Sequence, residues 1–150
     1  MFHEAIKLKY NRGTEVEVTF LDGKVKTYDM ARLFKKYPQL LVLKDRNLFK
    51  SGKLDSFGIT WNDELDIDAE TIYQEGITIR EEKITPMVRL GCKISEARGS
   101  IGMTQMDLAR ATGIDQSDIS KIERGKANPS ISTLERIAEA LNVSLSIEIK

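Results

Sequence analysis

The chain has one cysteine, one histidine, one tryptophan and three prolines in 150 residues. A lone cysteine, Cys92, excludes an internal disulfide and a thiolate cluster. On a predicted helix it reads as a small buried apolar side chain. The lone histidine, His3, lies near the N-terminus and reads as a frayed or surface residue. No histidine falls in an element predicted to neighbour Cys92, so a Cys–His nucleophile is unsupported. Net charge is missing too, with 23 basic and 23 acidic side chains. Residues 77–150 carry 11 basic and 10 acidic side chains, so this half lacks the basic excess that often marks nucleic-acid binding. Neutrality leaves binding open, because the position of charge matters more than its sum, but it points to few phosphate contacts. No apolar run reaches membrane-spanning length, and MFHEAIKLKY lacks the apolar centre of a signal peptide. A cytoplasmic protein is expected.

Catalytic and metal-binding patterns are equally scarce. No glycine motif suits a phosphate cradle; Gly99, Gly102 and Gly113 punctuate helices. The acidic run Asp63, Glu64, Asp66, Asp68 and Glu70 invites a calcium loop. Counted from Asp66, such a loop puts Thr71 where glycine is required and Ile77 where the closing glutamate belongs. A solvated loop followed by a helix N-cap accounts for these carboxylates. Lys44, Arg46, Lys50 and Lys53 are interleaved with Asp45 and Asp55 and read as a solvated edge, with nucleic acid or an acidic partner as the alternatives. No catalytic residue, metal ligand or cofactor is assigned, and the chain is read as a non-enzyme.

Residues 1–30 alternate as strands do. Ala5–Tyr10, Glu15–Phe20 and residues 24–28 each carry apolar side chains at every second position. Asp22-Gly23 between the last two is a hairpin signal. Val16, Val18 and Phe20 share one face that needs covering. A helix over residues 30–37 would supply the cover through Met30, Leu33, Phe34 and Tyr37, with Pro38 ending it. Residues 40–43, 48–50 and 57–61 read as short apolar strands or turns, and residues 68–74 as a helix capped by Asp68. Residues 77–86 have no core-forming helical pattern and read as a linker, with a possible short strand at 77–79. The tail, SLSIEIK, alternates again. Its partner is the same strand of a second subunit or the linker, unless the tail frays.

The most informative stretch is residues 104–125, TQMDLARATGIDQSDISKIERG. Leu108, Ala109, Ile119 and Ile122 fall on inward helical spacing. Small Ala109 allows close approach, and Gly113 sits at the turn between two short helices. Asp115 stands at the N-cap of the second helix with Asp118 three residues on, and Gly125 where that helix stops. This is a helix-turn-helix pattern. Before it, Leu90, Ile94, Ala97 and Ile101 share one helical face. After it come Ser132 and Glu135 as a capping box, then Leu134, Ile137, Ala138 and Leu141 on one face. In register, Gln105, Leu108-Ala109, Gly113, the run from Ile119 to Gly125, Pro129 and the helix from Leu134 to Leu141 resemble the Cro/C1-type (XRE) repressor family across residues 87–143. The resemblance implies a lambda-repressor-like all-α fold and binding to duplex DNA.

Residues 59–73, ITWNDELDIDAETIY, together with the Leu-Asp-Gly turn and the helix after it, resemble a second family over residues 5–75. It is a small α+β domain of unknown function whose members occur alone, in toxin–antitoxin pairs, or fused to a Cro/C1-type domain. Here Asn62-Asp63-Glu64 replaces the Pro-Asn-Gly turn common after its tryptophan. The expected organisation is an α+β domain at 1–76, a linker at 77–86, and a helix-turn-helix domain with a C-terminal strand at 87–150.

Roles follow within the second half. Gln116, Ser117, Ser120 and Lys121 face outward near the start of the recognition helix, within reach of base edges; glutamine suits adenine and lysine suits guanine. Gln105 opens the first helix of the motif, where the family resemblance implies a phosphate contact and free N–H groups favour an anion. Arg124, Lys126 and Asn128 follow the recognition helix as phosphate candidates. The resemblance also places Arg98 opposite Glu123, an expected structural ion pair. The reading is a transcriptional regulator, chiefly a repressor and in one version an autoregulating antitoxin. It is expected to bind a pseudo-palindromic operator as a homodimer and, in the antitoxin version, to hold a toxin or other small protein through its first domain. A ligand-sensing regulator and an enzyme with a DNA-targeting domain are the alternatives.

Overall fold

The structure, a computed structural model, describes residues 2–55 and 57–150. The chain forms two compact units; the first ends at Ile84 and the second is Thr85–Lys150.

In the first unit β1 (Ala5–Tyr10), β2 (Glu15–Phe20) and β3 (Lys24–Asp29) make an antiparallel meander, as their alternation predicts. Val16, Val18 and Phe20 are wholly buried on its inner face. The cover over that face differs from expectation. Met30–Leu33 is a 3-10 helix, not part of an α-helix over 30–37. Asp29 caps it through the Ala31 N–H, and the tight turn drives Met30 fully into the core. Residues 40–43 are likewise not a strand but lie within a second 3-10 helix, Pro38–Lys44. Leu40 and Leu43, three residues apart, match its three-residue period and are both buried. Residues 48–50 belong to α1 (Arg46–Lys50), because Asp45 accepts from the N–H groups of Asn47 and Leu48 and starts a helix there.

A second sheet holds β4 (Lys53–Asp55), β5 (Gly58–Asn62) and β6 (Leu65–Asp68) in that order. It leads into α2 (Ala69–Glu75), capped by Asp68 through the Thr71 N–H. The short strand expected at 77–79 is present and runs on to Glu81, which takes residues 77–81 out of the expected linker. Ile77–Glu81 is β7 and pairs antiparallel with β3, giving the sheet order β1-β2-β3-β7. Its pairing satisfies backbone groups that the sequence pattern does not mention. Phe20, Tyr28, Phe49, Ile59 and Ile72 fill one continuous core beneath both sheets.

His3 is not frayed. Its ring stacks on Tyr73 at 3.5 Å between centroids, and its Nδ1 and backbone N–H both engage the Glu70 carboxylate. Hydrogen bonds from Gln74 and His3 hold the Glu70 carboxyl down at about 2.

The second unit is helical: α3 (Pro86–Ser100), α4 (Gln105–Thr112), α5 (Gln116–Glu123) and α6 (Ile131–Ala140). Ile94, Leu108, Ile119, Ile122, Ile137 and Leu141 form its core. Ile101, predicted on the inner face of the first helix, lies beyond the end of α3 and is exposed. Cys92 is half-buried, not buried. Ser130, not Ser132, caps α6, through the Thr133 N–H. The tail after Leu141 forms no strand in the single chain, and Ile147 and Ile149 are exposed. Among the described residues no helix is long and apolar enough to cross a membrane, and no cluster of metal-binding side chains occurs.

Candidate nucleic-acid interface

The motif begins with a complete capping box. Thr104 accepts from the Asp107 N–H, and Asp107 accepts from the Thr104 N–H at 2.9 Å. Hydrogen bonding from Thr104 to the carboxylate, chiefly from its backbone N–H, holds the Asp107 carboxyl below its usual range. The chain then turns at Gly113, whose φ of 73° is left-handed. Asp115 stands at the N-cap of α5 but makes no side-chain capping bond. The first N–H groups of α5 therefore carry no side-chain acceptor from Asp115.

Ile119 and Ile122 are buried, which turns the opposite face of α5 to solvent. Gln116, Ser117, Lys121, Arg124, Lys126 and Asn128 are exposed, and Gln105 and Ser120 are partly so. Arg124 bends back to the Ser120 carbonyl at 3.2 Å. The Gln116 amide donates to the Gln105 carbonyl oxygen at 2.8 Å, bringing the first residues of α4 and α5 together. Gln105 in turn reaches Glu123 at 3.4 Å. Glu123 is gripped by Arg98 from α3, whose third donor holds the Met103 carbonyl at 2.8 Å. The hydrogen bonds to Glu123 raise the Arg98 pKa further.

Two positioning features lie outside the set named from the sequence. Gly91 on α3 abuts the carbonyls of Ile122 and Glu123, and a Cβ there would collide with both. A glycine inside a helix that otherwise favours side chains is the only sequence signal for this contact. Arg136 on α6 donates to the Thr112 carbonyl at 3.1 Å, tying α6 to the end of α4.

Residues 94–147 match the family model described as Helix-turn-helix, and residues 5–78 match that described as Protein of unknown function (DUF2442). An uncharacterized HTH-type transcriptional regulator of Haemophilus influenzae is 30% identical over 96 residues, covering 64% of this chain and 91% of that protein. The HTH-type transcriptional regulator PuuR of Escherichia coli is 39% identical over 56 residues, covering 37% of this chain. The match spans only 30% of PuuR's length. Among solved structures, the restriction-modification controller protein C.AhdI of Aeromonas hydrophila is 33% identical over 39% of this chain and 88% of its own, with a TM-score of 0.38. The chain belongs to the HTH-type transcriptional regulators of the Cro/C1 (XRE) kind.

Proposed function

We propose that this protein is a cytoplasmic, non-enzymatic regulator that binds a pseudo-palindromic operator as a homodimer and represses transcription by occluding the promoter. The observation that carries the reading is the open first turn of α5, where exposed Gln116 is braced by Gln105 at 2.8 Å. A helix-turn-helix presents that end of its second helix to the major groove. Gln116, Ser117, Ser120 and Lys121 then meet base edges, while Gln105, Arg124, Lys126 and Asn128 meet phosphate. In the antitoxin form of this reading the first unit holds a toxin and the second represses the shared operon.

Selection of bound duplexes from a random DNA pool tests the proposal. Enrichment of a two-fold-symmetric site is the expected result. A pool that stays random after repeated rounds overturns it. Co-purification with the product of the adjacent gene tests the antitoxin form.

A further inference from the structure

Charge is segregated along the first unit in a way its neutral total conceals. Residues 30–54 hold seven basic side chains and one acidic, whereas residues 55–76 hold seven acidic and none basic. Each segment also exposes an apolar patch. In the first, Tyr37, Leu41 and Val42 are 40%, 43% and 48% exposed. Leu41 and Val42 face water because the three-residue period of Pro38–Lys44 sends Leu40 and Leu43 inward instead. Lys36 lies 5.2 Å from the Tyr37 ring and Lys44 5.8 Å from the Phe34 ring. Among the described residues neither lysine, nor Lys35, pairs with a carboxylate.

In the second segment Phe57 is 70% exposed, and its ring lies 5.3 Å from that of Phe2, itself 51% exposed. Carboxylates flank Phe57. Asp55 accepts from the Phe57 N–H at 2.8 Å, and the Phe57 carbonyl accepts from Ala69, next to Asp68. Asp66 joins Asp68 on the outward face of β6.

Both patches are exposed in the same chain, so neither covers the other. An apolar centre rimmed by charge is the anatomy of a protein interface, and the two rims have opposite sign. We propose that the first unit is a self-association module: the basic, aliphatic patch of one copy seats the acidic, aromatic patch of a second. A two-fold axis makes the contact twice and closes a dimer. Exposed Leu41 and Val42 favour a protein surface over nucleic acid, since aliphatic groups add nothing to phosphate binding.

The test is the mass of the full chain in the absence of DNA, by sedimentation. Wild type forms a dimer that weakens as salt rises from about 0.1 M to about 1 M, where the screening length falls from about 10 Å to about 3 Å. Lys36→Glu/Lys44→Glu reverses two charges of the basic patch; Glu64→Lys/Asp66→Lys reverses two of the acidic patch. Each variant alone dimerises at least about tenfold more weakly, because like charges now oppose. Mixed together, they associate again as a heterodimer. Circular dichroism establishes that both remain folded; all four substituted side chains are exposed. A wild type that stays monomeric overturns the proposal, as does a mixture that does not associate. Loss of DNA affinity in Lys36→Glu/Lys44→Glu at unchanged mass also overturns it, and assigns the basic patch to nucleic acid. Because mass is read without DNA, failure here leaves the operator reading standing.

Discussion

Arg98 and Glu123 meet through two hydrogen bonds, 2.8 Å from Nε to Oε2 and 2.9 Å from Nη2 to Oε1. The Glu123 side chain is 5% exposed and that of Arg98 18%, so the pair is largely withdrawn from water. Removing one charge from such a pair strands the other. Glu123→Gln keeps the shape and should destabilise the protein by about 3–5 kcal/mol. Chemical denaturation of the second unit checks this; an unchanged midpoint would mean the pair contributes nothing.

Gly91 predicts a steric effect on the same helix. Gly91→Ala puts a methyl group against the Ile122 and Glu123 carbonyls, where backbone has to shift. A cost of about 1–3 kcal/mol is expected from overpacking, offset slightly by alanine's better helix propensity. Operator affinity should fall with it, since α5 is what moves. Melting and operator titration of the variant measure both.

Base readers and phosphate contacts differ in how their loss is felt. Gln116→Ala should cost about 1–3 kcal/mol on the selected operator and relax the preference at one base pair, with little change on random duplex. Lys126→Ala should weaken both DNAs alike and lower the salt slope by about one. Titrations of both duplexes across a salt series separate the classes. Equal weakening of both DNAs by Gln116→Ala would reduce that residue to a backbone contact.

Glu70 gives the first unit a defined acid response. Its folded carboxyl titrates at about 2, against an ordinary value of 4.5. A depressed folded value means the stabilisation is complete above about 4.5 and disappears as pH falls towards about 2. Glu70→Gln should therefore be less stable than wild type at pH 7 and converge with it in acid. Parallel stability curves across that range would show that the carboxylate bonds to His3 and Gln74 are not retained in solution.

The exposed tail should be dispensable for assembly. Deleting residues 146–150 removes Ile147 and Ile149, which touch no core, and should alter stability by no more than about 0.5 kcal/mol. The sedimenting mass should also stay unchanged. A shift to monomer would return the subunit contact to a strand formed by the tail.

Where local chemistry decides conformation, sequence reading succeeded. The alternation of EVEVTF, the Asp22-Gly23 turn, the Asp68 cap and the left-handed Gly113 each dictate their own backbone, and the three leading strands, α2, α4 and α5 stand where those signals place them. The outward set on α5 was equally legible, because burying Ile119 and Ile122 leaves Gln116, Ser117 and Lys121 on the other side of a short helix. Capping was harder. Ser130, Ser132, Thr104 and Asp115 are all chemically competent caps; Asp115 takes its N-cap position without a side-chain bond, and only the path of the entering chain gives that bond to Ser130 and Thr104.

The remaining features depend on segments distant in sequence. LLVL in residues 40–43 is apolar enough for a strand, but the core below it has room for two of its side chains three residues apart, and a 3-10 helix results. A short strand at 77–79 was legible, but its extension to Glu81 and its partner, the free edge of β3, were not. His3 sits where a terminus would fray, yet Tyr73 and Glu70, some seventy residues away, hold it. The sequence by itself determined the two-part organisation and the recognition helix, because those rest on interactions within a few residues. Tertiary structure alone decided the partner of β7, the anchoring of His3 and the seating of Gly91 against α5, because each is set by a surface that exists only once the rest of its unit has folded.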